Sequence, residues 1–191
     1  DDVVASVRAL TRDDTAVLLY TLSSLTNPRG ALLSHGNFLS QRALSDVFGI
    51  THEDTRLAHL PFGHIFGLVA DLFASAACGS TLCITRTFDT TEILRYIGET
   101  SPTIICSVPR LYEKMYVDFV HMINSRPRMV RGLYRHAIKK GRDCFVRECN
   151  GAHTPASRLA GALMKPVYRS IRRSLGLSNT RLLISAAGQL P

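Results

Sequence analysis

Blocks of apolar and polar positions alternate along this chain, and they predict alternating strands and helices. Ala16 to Tyr20 is an apolar run of strand length, which sets a buried strand over Thr15 to Tyr20. Ala31 to Leu33 is a second short run, and Ser34 is placed to cap a helix from His35 to Phe48. Phe38, Leu39, Ala43, Leu44 and Val47 share one face of that helix, and Gly49 ends it. Arg56 to Leu60 predicts a strand. Pro61-Phe-Gly-His64-Ile-Phe-Gly67 opens a helix that runs to Cys78. It is apolar or small apart from Asp71, so it is expected to be buried on most sides. Gly79 closes it, and Thr81 to Thr85 is the next strand. Asp89-Thr-Thr-Glu92 has the spacing of a capping box, ahead of a helix carrying Ile93, Leu94 and Ile97. Thr103 to Val108 predicts a buried strand. Pro109 suits the first turn of a helix with Leu111, Met115, Phe119 and Met122 on one face. Asp1 to Asp13 shows no clear period beyond Val3, Val4 and Val7 and predicts an edge or linker.

Arg126 to Arg173 is helical in pattern, with a break at Asn150 to Pro155 and apolar stripes through Leu133, Ala137, Ile138, Cys144 and Phe145, then Leu159, Leu163, Val167 and Ile171. Arg181 to Ile184 is a last strand, followed by the small-residue loop Ser185-Ala-Ala-Gly-Gln-Leu-Pro191. Alternating strand and helix argues for an α/β domain. Residues 1–125 form its core, 126–178 a basic helical insert, and 179–191 the return strand and loop.

Chemistry concentrates at the joints between these elements. After the first strand comes a loop dense in hydroxyls, Thr21, Ser23, Ser24 and Thr26, then the turn residues Asn27, Pro28 and Gly30 with Arg29 among them. Hydroxyls, backbone N–H groups and one cation are the means to hold a phosphate chain. No Walker pattern is present, and a polar surface turn is the competing reading. His64 stands between two glycines at a strand-to-helix junction. It is either a ligand-facing group or a histidine satisfied by its own helix start. Arg110, Glu113 and Lys114 follow Pro109 at a spacing that also suits ion pairs on a helix surface.

Tyr20-Thr-Leu-Ser-Ser-Leu-Thr-Asn-Pro-Arg-Gly30, continued by Ala-Leu-Leu-Ser-His-Gly-Asn37, resembles the phosphate-loop signature of adenylate-forming enzymes. That signature reads Tyr-Thr-Ser-Gly-Thr-Thr-Gly-x-Pro-Lys-Gly, then a strand and Ser/Thr-His-x-Asn. Thr21, Pro28 and Gly30 match it; Ser24 and Arg29 are conservative changes. Leu22, Ser23, Leu25 and Thr26 depart from it, and both inner glycines, which let backbone approach phosphate, are lost. Leu60-Pro-Phe-Gly-His64-Ile-Phe-Gly67 is similar to the family's Leu-Pro-x-x-His-x-x-Gly. Val108-Pro-Arg-Leu-Tyr-Glu-Lys114 resembles the long-chain fatty acyl-CoA synthetase branch. Ser185 to Leu190 resembles Ser-Gly-Gly-Ala-Pro-Leu, with Ala186 and Ala187 for glycines and Gln189 for proline.

This resemblance implies an incomplete N-terminal synthetase domain, with β-sheets flanked by helices, that activates a long-chain fatty acid with ATP to an acyl-adenylate and then an acyl-CoA. It gives Thr21, Ser23, Ser24, Thr26, Arg29 and Gly30 the phosphates, His64 the carboxylate and α-phosphate, and Ala187, Gly188 and Gln189 the adenine. ATP, Mg2+ and CoA are the expected cofactors and substrates, with no metal ligand inside this chain. The family's Tyr-Gly-x-Thr-Glu motif, ribose-binding Asp and catalytic Lys are not matched here. The chain therefore looks like an internal piece that does not complete a turnover alone. The departures in the loop motivate a rival reading, a synthetase-like protein that binds lipid or partners without adenylating.

Composition narrows this little. The 191 residues are 46% hydrophobic and 20% charged, an ordinary globular balance. The apolar stretches are too short to cross a bilayer, and the acidic start does not resemble a signal peptide. Five cysteines without a Cys-x-x-Cys pair fit buried free thiols. A cytoplasmic location, or the cytosolic face of a membrane, is expected. The net charge of +8 is uneven: Arg126 to Arg173 carries +11 and the remainder −3. That region is expected to be a solvated face or to associate with an anionic membrane surface. Nucleic acid ranks last, since no aromatic reading motif accompanies the charge.

Overall fold

The computed structural model describes residues 2–21, 28–149 and 155–189, and it is a mixed α/β structure. The sequence loop holding Ser23, Ser24 and Thr26, and the break expected at Asn150 to Pro155 up to residue 154, lie outside the described residues.

The described residues form two sheets. β1 (Thr15–Thr21) and β2 (Arg29–Ser34) form an antiparallel pair, with Thr21 opposite Arg29 and Tyr20 opposite Gly30. The second sheet is parallel, in the order β4-β3-β5-β6, from Thr55–Ala58 (β3), Thr81–Ile84 (β4), Ile104–Ser107 (β5) and Leu182–Ser185 (β6). From β3 the chain crosses first to one side, to β4, then to the other, to β5. The gap between β3 and β5 is therefore a topological switch point, where open parallel sheets leave a crevice at their carboxyl ends.

Each parallel step needs a crossover. β3 reaches β4 through α4 (Ile65–Gly67), a π-helical stretch (Leu68–Phe73) and α5 (Ala74–Cys78). α6 (Thr90–Thr100) leads to β5, and α7 (Pro109–Asn124), α8 (Arg128–Cys149) and α9 (Pro155–Ser174) lead to β6. Leu57, Ile93, Ile97, Ile105, Leu111 and Met115 pack into one core between the sheet and α6 and α7. The Tyr112 hydroxyl lies 3.0 Å from the Ile105 carbonyl and 2.8 Å from that of Ile184, so it can donate to either strand. α8 is held to α9 by the Tyr168 hydroxyl donating to Ala137 O at 3.1 Å and by a 2.7 Å bond between Tyr134 and Ser170.

Four helix expectations change, and β1 is not the buried strand expected, since Leu18 is 48% and Tyr20 58% exposed. Asp2–Ala9 is a helix, α1, and not an edge or linker. The helix expected over His35 to Phe48 is two, α2 (His35–Ser40) and α3 (Arg42–Val47). The Ser40 hydroxyl takes the Asn37 carbonyl at 2.7 Å, the acceptor an unbroken helix would offer to the Gln41 N–H. Gln41 N bonds Phe38 O instead. The third is the helix to Cys78, which is interrupted by the π-helical stretch carrying Asp71. The capping box at Asp89 is half made: Asp89 accepts from the N–H groups of Thr91 and Glu92, while Glu92 turns to Arg95.

Candidate functional site

The hairpin of β1 and β2 ends in Ser34, which caps α2 reciprocally. Ser34 N donates to Asn37 Oδ1 at 2.9 Å, and Asn37 N donates to Ser34 Oγ at 3.3 Å. This fixes Asn37 and Phe38 along one wall of a cavity of about 570 Å³. A second wall is His64, Ile65, Phe66 and Val69, and a third is Ala186 and Ala187 after β6. Three stretches that are far apart in sequence meet there.

His64 is the N-cap of α4. Its Nδ1 accepts from Phe66 N–H at 3.2 Å, so a neutral ring carries its proton on Nε2 and keeps one donor to offer. The cap that competes with a ligand role for His64 is therefore real, and it leaves the second nitrogen outside that bond. Gly67 shows why glycine closes the turn: a Cβ there would lie 2.7 Å from the Pro61 carbonyl oxygen. Ala186 N donates to Ser107 O at 3.2 Å, which ties the β6 loop to the end of β5. Ala187 sits at φ +66°, in the left-handed region that disfavours a β-carbon.

The residues expected to act together are thus partly assembled. His64 and Ala187 share the cavity. Gly188 packs toward Pro109, Gln189 is exposed, and neither lines the cavity. Arg29, Gly30 and the backbone of Thr21 lie on the hairpin that leads into it. Gly30 is exposed, and a Cβ there would come within 2.8 Å only of the movable end of the Leu18 side chain, at Cδ1.

A smaller, mostly apolar cavity of about 210 Å³ shares Gln41, Phe66 and Val69 with the first, and Arg56 and Cys106 reach its wall. Arg56 is 1% exposed; its Nη1 stands 3.7 Å from Asp71 Oδ1 and 3.8 Å from Cys106 Sγ, and donates to the Ala70 carbonyl. Arg56 Nε and both Asp71 oxygens make no hydrogen bond. Burial pushes the Asp71 carboxyl up to about 7, and the Arg56 charge only partly offsets it. Burial, with Asp71 beside it, pushes the Cys106 thiol up to about 12, which makes it a poor nucleophile.

At the switch point His59 Nε2 and Ser107 Oγ are 2.9 Å apart, both side chains buried. They extend the register that pairs Arg56 with Ile104, and they open on a cavity of about 310 Å³ that Asp89 and Arg110 also line. Desolvation holds the His59 pKa below its usual value. At the other end of the same strands, Asp54 accepts from Arg181 Nε at 2.9 Å, from Arg181 Nη2 at 2.6 Å and from the Thr103 hydroxyl at 2.6 Å. None of these three groupings was expected. For Arg56 and Asp71 a signal existed: each is a lone charge in an otherwise apolar element. Among the described residues no group of three His, Cys, Asp or Glu side chains could hold a metal ion.

The AMP-binding enzyme family matches residues 2–190. The chain belongs to this family. It is 28% identical over its full length to a long-chain-fatty-acid–CoA ligase of Mus musculus, covering 29% of that protein. It is 26% identical over 94% of its length to long chain acyl-CoA synthetase 3 of Arabidopsis thaliana, covering 27% of it. The chain thus spans less than a third of these curated relatives. Among solved structures, o-succinylbenzoate CoA synthetase of Bacillus subtilis, bound with a product analogue, aligns with 57% of this chain and 22% of its own. The sequence identity is 31% and the TM-score 0.51. The same enzyme in complex with its acyl-adenylate intermediate aligns at 32% identity and TM-score 0.50, with the same coverage.

Proposed function

We propose that this chain is part of a larger ATP-dependent ligase that activates a long-chain fatty acid to an acyl-adenylate and passes the acyl group to CoA. The observation that carries this reading is the convergence of the hairpin end, His64 and the β6 loop on one apolar-walled cavity. Such a cavity excludes water from an acyl chain and leaves a few polar groups to orient its carboxylate. A carboxylate oxygen attacks the α-phosphorus and pyrophosphate leaves. The CoA sulfur then attacks the acyl carbon and AMP leaves. His64 contributes its Nε2 proton to hold the carboxylate and α-phosphate in line, which is catalysis by positioning and charge stabilisation. Thr21, Ser23, Ser24, Thr26, Arg29 and Gly30 are assigned to the phosphates, and Ala187, Gly188 and Gln189 to the adenine. Magnesium, which would supply charge neutralisation at the phosphates, is assigned to no residue described here.

Leu22 and Leu25 in the phosphate loop favour a second reading, a synthetase-like lipid- or partner-binding protein without adenylation. Fatty-acid-dependent ATP–pyrophosphate exchange by the full-length protein separates the two. The unaltered protein is expected to exchange, and His64→Ala to lose about 100-fold. Exchange only after Leu22→Ser, Ser23→Gly, Leu25→Thr and Thr26→Gly are combined would establish the binding reading. No exchange by either protein would end the ligase assignment.

A further inference from the structure

α7 and α8 lie side by side and enclose a cleft of about 430 Å³. Each helix gives it one row at the i, i+3, i+4, i+7 spacing that lines up side chains on one face. The row from α7 is Tyr116, Phe119, Val120 and Ile123; the row from α8 is Arg135, Ile138, Lys139 and Arg142. One wall is apolar and aromatic and the facing wall is cationic.

Among the described residues the cations have no acidic partner in the cleft, and no acidic side chain lines it. Arg135 Nη2 donates to Asn124 Oδ1 at 3.0 Å, which holds that guanidinium across one end. Among the described residues neither Lys139 nor Arg142 enters an ion pair, and Asp143, one turn beyond Lys139, does not pair with it. Asp118 on α7 is engaged by Lys114 at 2.8 Å. Arg128 and Arg131 extend the row toward the start of α8 at the same three- and four-residue steps. The cationic ridge from Arg128 to Arg142 is about 21 Å long, at 1.5 Å per residue.

We infer that the α7–α8 face docks an anionic lipid surface, with lipid phosphates on Arg135, Lys139 and Arg142 and apolar lipid atoms against Tyr116, Val120 and Ile138. Both halves of the cleft have a role in that arrangement. An amphipathic anion matches a wall of each kind, whereas a soluble polyanion leaves the aromatic wall wet. Ridge length selects the source: one free acyl anion brings one charge, and a leaflet brings one for each cation. Near the end of α8, three residues beyond Arg142 on the flank of the ridge, Phe145 is a large apolar side chain that suits the same surface, and it is 64% exposed.

The test is co-sedimentation of the full-length protein with phosphatidylcholine vesicles, with and without phosphatidylserine, at low and high salt. Binding is expected only with phosphatidylserine and is expected to weaken as salt rises. Arg135→Gln/Lys139→Gln/Arg142→Gln is expected to lower the partition coefficient about 100-fold. Arg8→Gln/Arg12→Gln/Lys140→Gln removes the same charge from other faces and is expected to bind nearly as the unaltered protein does. Tyr116→Ser tests the apolar wall and is expected to weaken binding several-fold. Equal binding of the cleft variant and the unaltered protein overturns the inference, as does equal binding to phosphatidylcholine alone. Loss of laurate binding by the cleft variant in the absence of vesicles would put a single acyl anion in the cleft and overturn it too. Pyrophosphate exchange is read without vesicles, so the ligase reading and this one can fail separately.

Discussion

Two aspartate–arginine pairs bracket β3, and their surroundings drive them in opposite directions. Asp54, one residue before the strand, takes two bonds from Arg181, one from the Thr103 hydroxyl and one from Thr51 N–H at 2.9 Å. Those donors hold its carboxyl below the usual carboxylate range, the Arg181 bonds most of all. Asp71 lies under the sheet face near the middle of the strand. It has Arg56 at 3.7 Å and no hydrogen bond, and burial raises it to about 7. Each aspartate has an arginine. The difference is made by water and by hydrogen bonds: Arg181 is 41% exposed and fans its donors over Asp54, while Arg56 is dry and gives its bond to a backbone carbonyl. A pair of opposite charges is thus no measure of stability until its remaining valences are counted.

The largest effect expected from breaking this comparison is at the dry pair. Asp71→Leu leaves the buried guanidinium with no carboxyl beside it in either charge state and is expected to cost about 3–5 kcal/mol in chemical denaturation of the full-length protein at about pH 8, above the titration of Asp71. Arg56→Met/Asp71→Leu removes both charges and is expected to be neutral or to stabilise by about 1–4 kcal/mol. If the double change costs as much as the single one, the pair is well solvated by groups other than its partner, and the contrast with Asp54 fails.

The pH dependence sharpens the same contrast. Asp71 has a raised folded-state pKa, so its contribution is complete below its ordinary value of 3.8 and is lost as pH rises through about 7. Asp54 has a depressed one, so its contribution is complete above 3.8 and is lost as pH falls through the folded value. Stability of the unaltered protein is expected to decline from pH 4 toward 7 through Asp71, and the double variant should lack that slope. Asp54→Ala should remove a loss that occurs only in acid. Its expected cost at neutral pH is about 2 kcal/mol, less than a dry site would give because the outer edge of Arg181 is in water. Melting temperatures at several pH values check both slopes.

How much of this was legible in the sequence depends on the range of the interaction. The strands, Gly49 and Gly79 as stops, the Ser34 and Asp89 caps and Pro109 at a helix start are set by neighbours within four residues, and the structure has them. The break at Gln41 is just as local, but it turns on one hydroxyl choosing a carbonyl, which periodicity does not register. Arg56 with Asp71, His59 with Ser107 and Asp54 with Arg181 join residues 15, 48 and 127 positions apart, and only the sheet order brings them together. In the candidate site, His64 and Ala187 were each found by motif, and their shared cavity is a product of the fold.

Ala187 offers the smallest test, and the most local. Its φ of +66° costs a residue with a β-carbon about 1–2 kcal/mol, while glycine there loses about 0.5–1 kcal/mol of backbone freedom on folding. Ala187→Gly is therefore expected to stabilise the protein by a few tenths to about 1 kcal/mol, seen as a small rise in melting temperature. The conformation is held from outside the residue, by Ala186 N on Ser107 O before it and by Gly188 against Pro109 after it. Both anchors sit at the carboxyl end of β5. A loop strained in order to meet the end of a strand is one whose position matters more than its comfort, as expected of a wall of the His64 cavity. If Ala187→Gly raises stability and lowers fatty-acid-dependent exchange together, the strain is serving the site. If it raises stability and leaves exchange unchanged, Ala187 is a tolerated departure and the loop keeps its place without it.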